Sequence, residues 1–288
     1  MRRYPRPRAP RAAPLAAAVL ASLAAWLGAP RPAVAWENRA HRLVVTRAVD
    51  TLPYPLRSFF EANRNAVADL CDNPAQWGEE TLRPEDGYIR LDHYGRYPFG
   101  ELPRDYNVAV RKFTRRKVIE NGTLPWQVGN YSLKLEEAFR QQQWDKVKLY
   151  SAILARVVAE ANDPFNTTLN NNGQLSNQTG VDQRYANSLI DRYQMFFIIR
   201  PGGAYKVEDP TQHAFGMTLE ANTWVDNILY ADSQARAGKV DYNDEYYDAF
   251  YDAVGAILIR QLTNASLSVG SYWYTAWLNA GRPALPAQ

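Results

Sequence analysis

Sulfur and imidazole are scarce in this chain. Its 288 residues include one cysteine, three histidines and three methionines. A lone Cys71 cannot close an internal disulfide, so in an oxidising compartment the protein must be held by core packing or by bound metal. Cys71 itself reads as a buried, inert thiol. His41, His93 and His213 are the only imidazoles available to catalysis or ligation. There is no Gly-rich phosphate loop after a strand, no G-x-S-x-G, no C-x-x-C and no H-E-x-x-H, which removes several common hydrolase, kinase and redox frameworks. Strand-like alternation is rare. The main apolar run, residues 12–29, is short, interrupted by Pro14 near its start and followed by Pro30, which argues against a spanning helix.

That run belongs to a targeting pattern. Arg2, Arg3, Arg6, Arg8 and Arg11 form a basic n-region, the Ala/Leu-rich stretch follows, and Ala33-Val34-Ala35 is an A-x-A cleavage site. The expectation is a signal peptide over 1–35 and export to the periplasm or the extracellular space, with Trp36 as the first mature residue. An uncleaved N-terminal anchor is the alternative. Removing the segment's six Arg from the 33 basic residues leaves 27 against 30 acids, a net of −3 in place of +3. The mature composition therefore points to no polyanion-binding or membrane-binding surface.

What remains, 36–288, is enough for one large domain. Helical periodicity is expected over 37–52, 55–68, 103–119, 125–142, 144–161, 181–197, 217–234 and 245–267, with a further segment at 271–280. Pro53 and Pro164 end two of these. Loops are expected at 72–86, 170–180 and 202–210. The fold class is all-α, a single multi-helix domain. The acidic run Asp241, Asp244, Glu245, Asp248 and Asp252, interleaved with aromatics, reads as the solvated face of an amphipathic helix. A calcium site is the alternative. His213, after Asp209-Pro210, reads as a surface loop residue. Sequons at Asn121, Asn166, Asn177 and Asn264 read as ordinary polar loop positions beside a bacterial-looking signal.

The most informative stretch is 154–185, LARVVAEANDPFNTTLNNNGQLSNQTGVDQRY. With Leu91-Asp92-His93-Tyr94-Gly95, Leu102-Pro103-Arg104-Asp105-Tyr106, Leu124-Pro125-Trp126 and the tail Ala276-Trp277-Leu278-Asn279-Ala280-Gly281-Arg282-Pro283, it resembles the bacterial branch of the zinc-dependent phospholipase C / S1-P1 nuclease family. The shared order of these pieces spans nearly the whole mature chain. The resemblance implies an all-α domain of the phospholipase C / P1 nuclease type, with a cleft for three zinc ions. It also implies ligation by an N-terminal Trp, here Trp36, and by a His five residues on, here His41. Amine and neutral imidazole are sound zinc donors.

The other ligand positions depart from the family. Its Pro-Asp-x-Trp segment falls on Pro74-Ala75-Gln76-Trp77, and its His-Tyr-Ile-Asp segment on Gly87-Tyr88-Ile89-Arg90. The His and Asp that share one helix face fall on Arg156 and Glu160. The next His is Asn166, and the last His and Glu are Asp182 and Ala186. Trp36, His41, Glu160 and Asp182 are thus the residual metal set, and Arg156, Arg90 and Asn166 the cleft residues. Two such residues plus one or two carboxylates cannot hold three zincs, since each ion needs about three to four protein ligands.

The expectation is a pseudoenzyme, an exported, non-catalytic binding or scaffold protein with reduced zinc or none. Its partner would be an anionic or phosphate-bearing small ligand held by Arg156 and Arg90. The alternative is a phosphodiester hydrolase, of phospholipid or nucleic acid, with a reduced zinc set. A purely structural envelope protein is the third reading. Arg156 is expected to replace metal charge by pairing with Glu160 one turn away. A weak surface pair is the plain alternative.

Overall fold

The alternation of apolar stripes and capping residues builds a bundle. The computed structural model describes residues 38–239 and 241–286, so the expected signal segment and Trp36 lie outside the described residues. Helix α1 (Asn38–Thr51) is followed by α2 (Leu56–Asp72), α3 (Tyr106–Phe113), α4 (Arg115–Glu120), α5 (Leu124–Arg140) and α6 (Trp144–Ala161). Then come α7 (Val181–Gln183), a π-helical turn (Arg184–Ser188) and α8 (Leu189–Tyr193) without interruption. Helices α9 (Pro210–Asn222), α10 (Val225–Arg236) and α11 (Asp244–Asn279) complete the chain. Among the described residues there is no strand, as the lack of alternation predicts.

Helix α1 sits at the centre because it is apolar on more than one side. Val44, Val45, Ala48 and Val49 are all fully buried, and α1 packs on α11, α2 and α6. Helix α6 is buried nearly all round, from Ser151 to Ala155 and from Val157 to Ala161, as expected of a core helix. Phe60 of α2 stacks on Trp273 of α11 at 4.3 Å and 3°, and the indole N–H donates to the Ser151 carbonyl of α6 at 3.1 Å. Gly270 lets α11 approach α1: a Cβ there would lie 1.9 Å from Thr51 Oγ1 and 3.0 Å from the Ala48 carbonyl. A smaller second core gathers Ile89, Leu91, Tyr94, Phe99, Leu102 and Phe215.

Several boundaries differ from the periodicity. The expected helix over 103–119 is two helices, because Thr114 takes φ 69° and its hydroxyl caps Lys117. Asp105, not Pro103, opens the first of them by accepting from the Val108 N–H at 2.8 Å. The helix expected at 217–234 is replaced by α9 and α10. Helix α9 starts at Pro210 behind an Asp209 cap, and His213 is therefore helical, with its ring hydrogen-bonded to Tyr205 at 2.8 Å and Tyr272 at 3.1 Å. The segments at 245–267 and 271–280 are one helix of 36 residues, about 54 Å long at 1.5 Å per residue. Its first turns bury Tyr246 and Phe250 and leave the acidic residues exposed, the amphipathic arrangement expected for the acidic run. Asn121 and Asn166 are buried, so neither sequon is presented to a glycosylating enzyme.

Candidate functional site

Three elements bring the polar residues of the sequence pattern together. His41 lies on α1, Glu160 on the last turn of α6, and Asn166 on the 3-10 turn Pro164–Thr167 that follows. His41 is fully buried and Glu160 and Asn166 nearly so. His41 Nε2 stands 3.1 Å from Glu160 Oε1, and with a carboxylate as acceptor that nitrogen carries the proton. The Asn166 amide donates to Glu160 Oε2 at 2.7 Å and to the Glu160 backbone carbonyl at 3.2 Å. Both carboxylate oxygens are thus occupied by protein donors.

The Asn166 turn is set by its own sequence. Asp163 caps it by accepting from the Phe165 N–H at 2.8 Å, and Pro164 fixes its first residue. The turn is tied down by the Ile89 N–H, which donates to the Asn166 carbonyl at 2.8 Å. Arg90 donates to the carbonyls of Thr168 at 2.8 Å and Phe165 at 3.3 Å, with its guanidinium 4.2 Å from the centre of the Tyr88 ring. Burial pushes the Arg90 pKa down, against the charges of Asp92 and Asp182. Arg90, expected as a cleft cation, is committed to clamping this turn.

Arg156 makes a different bond from the one expected. Among the described residues its hydrogen-bond acceptor is the Cys71 carbonyl, 3.1 Å from Nη1, while Glu160 is satisfied by His41 and Asn166. The guanidinium closes the end of α2, where the last carbonyls lack helical partners. It also stands close enough to Asp72 to lower that carboxyl's pKa, as do Arg42 and His41, although burial raises it overall. Asp72 accepts from Arg42 Nε at 3.1 Å, and its other oxygen is buried without a partner. Cys71 is fully buried, and burial pushes its thiol up to about 12.

Asp182 is buried at the start of α7, with Oδ1 unpartnered among the described residues. Burial raises its pKa against the nearby backbone N–H groups and Arg184. Asp163, not singled out by the sequence, is the most deeply perturbed acid. It is fully buried, and burial, reinforced by the charges of Glu160 and Asp182, pushes its carboxyl well above the usual range. Its Oδ2 and the Tyr185 hydroxyl are both buried without partners. The signal for Asp163 was the Asp-Pro step after a buried helix, which reads as a cap before it reads as a site.

The Asn-rich loop 170–180 is anchored through Arg184 of the π turn. Its guanidinium donates to the Thr179 and Gln178 carbonyls and to Asp232 at 2.8 Å. Ala75 is exposed, Ala186 is buried, and a side chain grown from Gly87 would meet open space. His93 is exposed on the 3-10 turn Leu91–Tyr94.

Among the described residues the donor set is not that of a trinuclear zinc centre. Asn166 presents an N–H to Glu160, and Arg156 is a cation. Among the described residues no group of three or more His, Cys, Asp or Glu side chains is arranged to hold a metal ion. What the arrangement can do is hold a buried carboxylate in place by hydrogen bonds.

No family model and no curated protein matches the chain. Among solved structures, the fold is similar to that of the alpha toxin from Clostridium absonum, with a TM-score of 0.52 and 12% identity. The match covers 84% of this chain and 63% of the toxin, so the chain spans less than two thirds of that structure. At this identity the likeness concerns the helical fold.

Proposed function

We propose that the chain is an exported, non-catalytic relative of the zinc-dependent phospholipase C / S1-P1 nuclease fold, a binding or scaffold protein in which a former metal cleft has become a hydrogen-bonded core. One observation carries this reading. Glu160, on a position the resemblance assigns to a zinc ligand, spends both carboxylate oxygens on His41 and Asn166. An ion at Glu160 would have to share these oxygens through their remaining lone pairs, and displacing either donor would leave it buried and unsatisfied, at a cost of about 1–3 kcal/mol. The helical likeness to the Clostridium absonum toxin supports the scaffold part of the reading. The anionic ligand expected for Arg156 and Arg90 loses support, since both guanidiniums bond backbone carbonyls.

The test is zinc content per chain by plasma mass spectrometry after dialysis, with a generic phosphodiester assay run with and without added zinc. No retained zinc and no turnover is the expected result. Stoichiometric zinc with turnover would overturn it in favour of a hydrolase with a reduced zinc set. The unpartnered Asp182 Oδ1 and His41 Nδ1 are the atoms that favour this second reading, with Trp36 as a further donor.

A further inference from the structure

The largest run of exposed apolar side chains is unrelated to the buried cluster. Directly after α8, Met195, Phe196 and Ile198 are 80%, 64% and 66% exposed. The alternate neighbours Phe197 and Ile199 turn inward, and the backbone is fastened from behind. Tyr193 stacks on Tyr251 of α11 at 4.2 Å and 9°, and Phe197 lies nearly parallel to the same ring at 6.2 Å and 13°. The Tyr193 hydroxyl donates to Asp248 at 2.5 Å. The stack holds the segment to α11 and leaves the three apolar side chains pointing outward on a fixed base.

We propose that Met195, Phe196 and Ile198 insert into the interfacial region of a lipid bilayer, with Arg200 at the headgroup phosphates. Two features select a lipid surface over a second copy of the chain. The three side chains offer about 400 Å², taking roughly 200 Å² for a large side chain. That is half of the ~800 Å² each partner brings to a standard protein interface. A bilayer asks for no matching surface and accepts an apolar tip of any shape. Beside the patch Asp191 pairs with Arg39 and Asp244 with Arg192, and Asp248 accepts from Tyr193; Arg200 is exposed and has no ion-pair partner among the described residues, which leaves it to bond a phosphate oxygen. No helix among the described residues is long and apolar enough to cross a membrane.

Cys71 is the sole cysteine and is buried, so an introduced cysteine can be labelled selectively. The full chain carrying Ile198→Cys with an environment-sensitive nitrobenzoxadiazole label is mixed with vesicles of equal parts phosphatidylcholine and phosphatidylglycerol. The same label at Leu133→Cys, exposed on α5, is the reference. A blue shift and intensity gain at 198 but not at 133 is expected, whatever the N-terminal segment contributes to binding. Met195→Ser with Phe196→Ser in the 198-labelled chain should weaken the response about tenfold or more for each apolar group lost. Arg200→Ser should weaken it about fivefold. No change at 198, or an equal change at 133, overturns the proposal. So does a shift at 198 that grows with protein concentration without vesicles, which would assign the segment to self-association.

Discussion

Replacing His41 by leucine isolates what holds Glu160 in the core. Leucine is close in volume, so the change removes the donor without opening a large cavity. The imidazole is fully buried and the Glu160 side chain is 11% exposed, so water does not readily take the lost partner's place. Leaving the buried carboxylate oxygen without its donor costs about 1–3 kcal/mol. For a domain of this size each kcal/mol moves the midpoint by about 2–4 °C, which predicts a fall of roughly 2–12 °C. The double variant His41→Leu with Glu160→Leu should lose less than the two single changes together, because the orphaned carboxylate is gone, with a coupling of about 0.5–3 kcal/mol. Calorimetry of parent and variants, each with and without EDTA, measures all of this. The parent's midpoint should not move with EDTA. A metal held at one hundred times its dissociation constant would add about 2.7 kcal/mol, so a parent that loses 5 °C or more to EDTA refutes the hydrogen-bonded account. So does a His41→Leu variant that melts within about 2 °C of the parent.

Three further outcomes test the surroundings. Asp163→Asn should stabilise the protein increasingly as pH rises. The folded carboxyl titrates well above the usual range, so between the ordinary value near ~4 and the folded one the native state holds a proton that the unfolded chain has released, and stability falls with pH. The amide oxygen can still accept from Phe165, and urea midpoints at pH 5 and pH 8 should show the variant's advantage larger at the higher pH; an equal loss at both would contradict the placement. Native Cys71, with its thiol raised to about 12 and buried, should ignore Ellman's reagent at pH 8 and release one equivalent in urea, whereas rapid native reaction would mean the end of α2 opens. Gly270→Ala should cost about 1–3 kcal/mol by overpacking the α1–α11 crossing, with part restored by Thr51→Ala, since Thr51 Oγ1 is the atom in the way; a neutral Gly270→Ala melt would show that the helices separate freely.

The helical class was legible because the signals for it are local. Periodic apolar positions and the Pro-terminated runs of α1 and α6 predict helices whose bounds hold to within a residue or two. The misplaced helices fail for local reasons of a different kind. At Thr114 a threonine with positive φ splits a helix that its periodicity would carry through, and at Asp209-Pro210 a capping pair starts α9 well before the apolar pattern becomes obvious. The site was half legible. His41, Glu160 and Asn166 do meet, across 119 residues in the case of His41 and Glu160. The partner of Arg156 was not readable, because an acceptor on the backbone leaves no trace in the side-chain pattern: every residue supplies a carbonyl, and only the fold decides that the one from Cys71 lies within reach.

The buried polar set persists on either account of its history. A single change toward an apolar residue at His41, Glu160 or Asn166 strands a buried partner and costs several times what the pair contributes. A single change toward a metal ligand fares little better. A histidine at position 156 would give up the bond to the Cys71 carbonyl that closes α2, and one at 166 would have to keep donating to Glu160 while offering its other nitrogen to an ion. Gly87 has open space for a new side chain, yet a ligand there meets no completed set. The hydrogen-bonded core and a zinc centre are therefore separated by several substitutions that help only together. A chain that has reached the first arrangement is held there by its own packing, and any new function is most readily carried by residues outside that core.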